Sequence, residues 1–363
     1  MSITEVRAST GRGSSLMRWV LRRLPLAGTV IGFGLAGWLV STNDLGAIGT
    51  TFARIGPWAL GAIVLVRMVV IFLCGIGWSR ILRHLAPVAD GPYVMLRFVR
   101  DGINTLLPVA SVGGDVAGGR LLTFWGVPGA FAAASILVDL LLQAGTLVVF
   151  ALIGVALLMQ VEGDAAASLA RWALNALVIM AVVLAAFFAF QRAGAVGMVA
   201  RLLDDLGRRL SRDDAPAQDA SKAAAASVAG DVQHALDAVW AKDRRSSLAQ
   251  SVLLHLGAWL LGAFEIWIAL ACIGIDGVGF AEATVIEALT QAIKTAAFPV
   301  PSGLGVQEGG FVLVGSLFGL DAGTALALSL VKRVPDVVLG LPSLVLWQSL
   351  EARRATVMPP PTR

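Results

Sequence analysis

The sequence predicts an all-α polytopic membrane protein, with about six full transmembrane helices plus two re-entrant helical hairpins in an inverted repeat. Three observations predict this. Apolar residues make up 57% of the chain and charged ones 14%, against about 45–50% and about 25% in soluble domains. The apolar blocks are long enough to cross a hydrocarbon core about 30 Å thick, and most charges fall between them, where they avoid the cost of burial in lipid. Finally, two apolar segments end in Pro-Gly stretches that cannot continue as helix, because Pro lacks an N–H and Gly adopts backbone angles other residues avoid.

Residues 1–23 read as a cytoplasmic tail, Ser/Thr/Gly-rich at first and then carrying Arg18, Arg22 and Arg23. The first transmembrane helix is expected over 24–41, where Gly28, Gly32, Gly34 and Gly37 suit close helix packing. Its apolar region is long for a cleavable signal and no small-x-small site follows, so the span reads as uncleaved. The first repeat unit spans 57–160 and opens with an apolar block from Pro57 to Trp78, with Arg67 near its middle. Its hairpin, 93–126, begins with Tyr93 to Leu107, about 22 Å as a helix and too short to cross. The turn carries Pro108, Gly113 and Gly114, and a short piece from Val116 to Trp125 returns. Lipid permits such a hairpin only where protein or a cavity covers the broken backbone. Ala130 to Met159, with Asp139 and Gln143 inside it, closes the unit.

A connecting span covers 169–190. Residues 191–247 then read as a cytoplasmic amphipathic segment, with apolar residues three and four apart at Val196–Leu210 and Val228–Val239 and a linker near 214–220. The second repeat unit, 248–350, opens with Leu248 to Ile273, containing His255 and Glu265. Its hairpin, 281–320, turns at Pro299, Pro301, Gly303 and Gly305, and Ala322 to Leu350 closes it, leaving a tail over 351–363.

Lys and Arg set the orientation, because they favour the cytoplasm. The segments 1–23, 79–92, 191–247 and 351–363 hold five, two, nine and three of them, whereas 41–56, 160–171 and 274–280 hold one, one and none. Both termini are expected on the cytoplasmic side of a bacterial inner membrane. The two Pro-Gly stretches align at an offset of 191, with Pro108 on Pro299, Ser111 on Ser302 and Gly114 on Gly305. A two-residue slip then brings Gly126 onto Gly319 and Asp139 onto Lys332. The span before each hairpin enters from opposite sides, so the units are inverted. Inverted repeats with interrupted helices point to a transporter that opens alternately to each side.

Asn104 with Pro108, Gly113-Gly114-Asp115 and Arg120, then Pro299 through Glu308 and the late Arg333, carry a resemblance over about residues 25–350. The chain resembles the lysylphosphatidylglycerol-synthase transmembrane, or flippase-like, family, and within it the hopanoid-biosynthesis-associated membrane proteins. It has Ser302-Gly303 where two adjacent glycines are expected. The resemblance implies a hopanoid or related polar lipid as substrate. The family's aminoacyl-transferring enzymes carry a soluble catalytic domain after the membrane part, and this chain stops at Arg363, so no synthase activity is expected.

Charges inside apolar spans default to function. The residues expected to bind substrate are therefore Arg67, Asn104, Ser111, Asp115, Arg120, Asp139, Glu265, Lys294, Ser302, Glu308 and Arg333. Asp115 and Glu308 fit equally well as helix caps. Lys332 and Asp336, four apart, could satisfy each other, and Arg97, Arg100 and Glu282 lie near segment ends and read as structural. No catalytic residue, metal or cofactor is expected: the histidines at 84, 234 and 255 are scattered, and both cysteines sit in apolar spans. No phosphate-binding G-x-x-x-x-G-K-[ST] loop occurs, so an ion gradient or the lipid gradient would supply energy. No nucleic-acid partner is expected. Besides a lipid transporter, two readings stay open: a membrane enzyme of lipid headgroup assembly, and a scaffold that docks lipid-biosynthesis enzymes on 191–247.

Overall fold

The computed structural model describes residues 45–107, 113–194, 215–275, 277–297, 300 and 303–353. Among them are ten α-helices and no strand: α1 (Leu45–Leu82), α2 (Asp90–Leu106), α3 (Gly113–Leu122), α4 (Gly129–Leu158), α5 (Asp164–Arg192), α6 (Ala215–Val239), α7 (Arg245–Ile273), α8 (Phe280–Ala296), α9 (Val306–Gly315) and α10 (Ala322–Ala352). Helices α1, α4, α5 and α7 are long and apolar enough to cross a bilayer. Helix α10 has the length, 31 residues, but Lys332, Arg333 and Asp336 make its middle polar. The expected span at 24–41 and the amphipathic run at 196–210 lie outside the described residues.

Two boundaries differ from the sequence reading. Helix α1 begins upstream of Pro57, with a break at Gly56 (φ 73°, ψ 166°). Pro57 then restarts the helix, which costs little because the first turn has no use for the missing N–H. Helix α6 begins at Ala215, inside the stretch expected as a linker. Its alanine-rich composition favours helix over coil.

The internal repeat is visible in element lengths. Helices α2 and α8 each have 17 residues and α3 and α9 each have 10, so no member of either pair crosses a core of about 30 Å alone. A three-residue 3-10 turn follows each short helix, Thr123–Trp125 and Ser316–Phe318. Both turns end on a left-handed glycine, Gly126 (φ 80°) and Gly319 (φ 74°), a conformation open to Gly at little cost. Within each hairpin the two short helices pack on each other, and the packing exchanges between units: α2 lies on α10 as α8 lies on α4, and α1 holds α2 as α7 holds α8.

Helices α1 and α7 form the central pair and run antiparallel. Arg67 meets Glu265, Gly77 lies against His255, and Arg83 reaches Gln250. As the partner numbers fall along α7, they rise along α1, which is the relation an inverted repeat requires.

Apolar packing divides into two large cores at opposite ends of the bundle. One gathers Ile55 and Ile63 with Leu158, Ile266, Ile286 and Phe311; the other gathers Trp78 and Leu82 with Leu96, Val138, Leu236 and Val239 of α6. Between them, on the middles of α1, α4, α7 and α10, lies a layer of buried charge. Helix α5 faces outward with Val178, Ile179 and Val182 exposed, as a lipid-facing span should.

Candidate functional site

The polar layer holds two networks, one built by each repeat unit. In the first, Asp139 of α4 is fully buried and its Oδ2 accepts from Arg100 Nη1 at 2.8 Å and Gln143 Nε2 at 2.7 Å. Arg100 also donates through Nε to Asp115 at 3.0 Å and lies 4.6 Å from the Trp78 ring centroid. Arg97 pairs with Asp101 at 2.9 Å and approaches Asp139 at 3.5 Å. The N-terminus of α3 is satisfied from the opposite arm of the hairpin: Gly114 N donates to Asn104 Oδ1 at 2.8 Å, and Asn104 Nδ2 donates to Asp115. A β-carbon on Gly114 would fall 2.2 Å from the Arg100 carbonyl oxygen, so only glycine permits this close return of the chain.

In the second network, Glu265 of α7 is fully buried and accepts two bonds from Arg67, at 2.8 and 2.6 Å, and one from Lys332 Nζ at 2.7 Å. Lys332 also donates to Glu287 of α8 at 2.9 Å. Arg333 pairs with Glu308, whose other oxygen accepts from Gly305 N at 2.7 Å. Lys294, near the C-terminus of α8, donates to Gln307 in the first turn of α9 at 2.9 Å.

The repeat relates the two networks with charge reversed. Arg97 and Glu287 stand at equivalent places on α2 and α8, and Asp139 and Lys332 at equivalent places on α4 and α10. The first unit thus pairs a cation on its half-helix with an anion on its long helix, and the second does the opposite. Across the polar layer, two ion pairs join the units among the described residues, Arg67 to Glu265 and Arg67 to Asp336 at 3.6 Å, and His255 Nε2 faces Asp139 Oδ1 at 3.3 Å.

Two cavities share repeat-related walls, α2 with α10 in one and α8 with α4 in the other. A polar one of about 80 Å3 between α1, α2 and α10 is lined by Arg67, Asp101, Thr105 and Asp336. An apolar cleft of about 430 Å3 between α4, α5, α8 and α9 is lined by Leu147, Trp172, Ala292 and Thr295. Gly102 and Thr105 of the first correspond to Ala292 and Thr295 of the second through equal positions in α2 and α8.

Of the residues expected to bind substrate, Asn104, Asp115 and Asp139 fall in the first network and Glu265, Lys294, Glu308 and Arg333 in the second, while Arg67 joins the two units. Arg120 lies apart, with a side chain 56% exposed and paired with Glu351 at 3.0 Å. Ser111, Ser302, Pro108, Pro299 and Pro301 lie outside the described residues. Gly303 (φ 60°) and Gly305 (φ 74°) have turn conformations, whereas Gly113 and Gly114 already belong to α3. Glu308 caps α9 and pairs with Arg333 at once. Asp115 accepts from Arg100 and Asn104, and Asn104 supplies the acceptor for Gly114 N. Lys332 and Asp336 turn to separate partners. Arg97 and Arg100, read as structural from their place near a segment end, do pair with carboxylates, and they do so deep in the first network. A half-length helix ends within the membrane, so nearness to its end does not mean nearness to water.

Comparison with protein families gives a match to the model described as lysylphosphatidylglycerol synthase TM region over residues 26–342. The chain belongs to this family. It is therefore a multi-pass membrane protein of lipid metabolism or transport, and the matched region takes in the first repeat unit and all but the last eight residues of the second. No curated protein and no solved structure matches the chain significantly.

Proposed function

We propose that this member of the lysylphosphatidylglycerol synthase TM family is a flippase-like transporter of the bacterial inner membrane. It moves a polar lipid, a hopanoid or related molecule, between leaflets and changes no covalent bond. The observation that carries this reading is the unequal pair of cavities whose α2–α10 and α8–α4 walls the repeat relates. Alternating access needs one site that can open to each side in turn, and inverted units supply two equivalent half-sites for it. With both termini cytoplasmic, the apolar cleft lies in the outer half of the bilayer and the polar cavity in the inner half. The polar cavity suits a headgroup, because Arg67 and two carboxylates replace its lost water with fixed charge. The cleft suits the hydrocarbon part, and its opening toward α5 leads to the lipid phase.

Purified protein in liposomes tests the proposal. A fluorescent polar lipid should reach the opposite leaflet in a protein-dependent manner, and Arg67→Ala or Asp336→Asn should slow it about tenfold or more, the loss of one charged contact being about 1.5–3 kcal/mol. A chemically altered lipid would support a headgroup enzyme instead. No lipid movement, together with capture of lipid-biosynthesis enzymes by residues 191–247, would support a scaffold.

A further inference from the structure

We propose that Asp139 and His255 hold one exchangeable proton between them and form the coupling-proton site of the transporter, a role that rests on the lipid-movement reading while the proton itself does not. His255 sits on α7 at the junction with α1 and α4, fully enclosed, and a β-carbon on Gly77 would fall 2.7 Å from its ring. Its Nδ1 is 2.8 Å from the Ser251 carbonyl oxygen. A carbonyl only accepts, so Nδ1 carries a hydrogen. In a neutral ring that leaves Nε2 as a bare lone pair, yet Nε2 faces Asp139 Oδ1 at 3.3 Å. Neither atom has another hydrogen-bond partner among the described residues. Two acceptors cannot face each other in a dry interior without cost. One proton between them, on Nε2 or on Oδ1, turns the repulsion into a hydrogen bond.

The surrounding charge asks for the same proton. Helix α2 brings Arg97, Arg100 and Asp101, α3 brings Asp115, α1 brings the buried thiol of Cys74 within electrostatic reach, and α4 and α7 add the neutral Gln143 and Ser251. Two arginines stand against three aspartates, so the network carries one negative charge until the Asp139–His255 pair takes up a proton. No nearer cation completes it: the ion-pair partners of Asp139 among the described residues are Arg97, Arg100 and His255. Imidazole is also the side chain whose ordinary titration lies closest to physiological pH. Position gives the proton a mechanical role. Asp139 belongs to the first unit and His255 to the second, so losing the proton converts an attraction between the units into a repulsion. Rocking of one unit against the other would thereby follow proton binding and release.

The test needs no lipid. The chain has three histidines, and His84 and His234 are exposed, so the variant H84N/H234Q leaves His255 alone; Asn suits the left-handed backbone at 84 (φ 65°). Nitrogen-15 spectra of this protein in nanodiscs near neutral pH should show both ring nitrogens protonated, or else a neutral ring accepting at Nε2 together with an infrared acid-carbonyl band that Asp139→Asn removes. Raising the pH should abolish either signature in one titration. A neutral ring beside an ionised carboxylate at neutral pH overturns the proposal, and so does a signature unchanged in Asp139→Asn. In proteoliposomes, reversing an imposed pH gradient should reverse net lipid movement, and His255→Gln should lose that dependence while passive exchange continues. Lipid movement indifferent to the gradient in wild type overturns the coupling. Absence of lipid movement under either gradient refutes the transporter reading alone, since the spectra decide the proton site separately.

Discussion

Replacing Lys332 with Met gives the sharpest measure of what the polar layer contributes. Lys332 Nζ is shared between Glu265 and Glu287, at 2.7 and 2.9 Å, and both carboxylates are almost wholly buried. The substitution affects them unequally. Glu265 keeps the two-bond grip of Arg67, whereas Glu287 is left with the amide of Gln291 at 2.9 Å. At an effective dielectric constant of about 20, an ion pair at this separation is worth about 6 kcal/mol of attraction, part of which offsets desolvation. Stranding one partner of a buried pair costs about 3–5 kcal/mol, so Lys332→Met should destabilise the fold by that amount. The double variant Lys332→Met/Glu287→Gln removes the stranded charge and should recover at least about 2 kcal/mol, a coupling typical of residues in direct contact. Reversible unfolding in mixed detergent, followed by far-UV circular dichroism, reads all three proteins against Glu287→Gln. A single variant costing under about 1 kcal/mol, or a double variant no better than the single, would refute the assignment of Lys332 as the cation that neutralises Glu287.

Three further outcomes follow from the packing. A β-carbon on Gly102 would lie 1.6 Å from Ser343 Oγ, so Gly102→Ala should cost about 1–3 kcal/mol by overpacking, and Ser343→Gly should restore part of it in the same unfolding assay. Arg120→Ala removes a largely exposed pair with Glu351 and should change stability by no more than about 1 kcal/mol, with lipid movement in liposomes unaltered. Asp321 accepts from Thr324 N and Thr324 Oγ1 at the start of α10, bonds that hold its carboxyl below the usual range. Its folded value is depressed, so the cap contributes fully above the ordinary aspartate value of 3.8 and is lost as pH falls through the folded one; Asp321→Ala should cost about 1 kcal/mol at neutral pH and less in strong acid, by thermal melts.

The repeat was legible in the sequence because Pro and Gly punctuate it and their physics is local. Helices α2 and α8 match in length at an offset of 190, one short of the 191 that aligns Pro108 with Pro299, and α3 with α9 and α4 with α10 match at 193, the two-residue slip that the sequence shows after the turns. The partners of the buried charges were not legible. Arg67 and Glu265 are 198 residues apart, and nothing in either neighbourhood names the other. Local spacing suggested Lys332 with Asp336 instead, a pairing worth only a few tenths of a kcal/mol on an exposed helix that yields to Glu265 and Glu287 once those are buried alongside. His255 read only as one of three scattered histidines, alone in an apolar run. The one local clue was Ser251 a turn earlier, which supplies the carbonyl that fixes its tautomer.

The distribution of these pairs says what can move. Arg97 with Asp139, Arg100 with Asp115 and Asp139, and Asn104 with Gly114 all close within the first unit. Lys332 with Glu265 and Glu287, Arg333 with Glu308, and Lys294 with Gln307 all close within the second. Each unit therefore neutralises most of its own buried charge, and displacing one against the other leaves those bonds intact. This also explains how equivalent positions tolerate opposite charge: Arg97 and Glu287 never have to meet each other's partners. Among the described residues, only Arg67 and the Asp139–His255 pair tie the units across the polar layer. A rocking motion must break or rearrange these, and both lie where a ligand could compensate the loss, Arg67 facing the polar cavity and Asp139 facing a titratable ring. If instead the units are locked, Arg67→Met paired with Glu265→Gln should stabilise the resting fold without slowing lipid movement. Slower movement from a fold of undiminished stability would place Arg67 among the contacts that transport must remake.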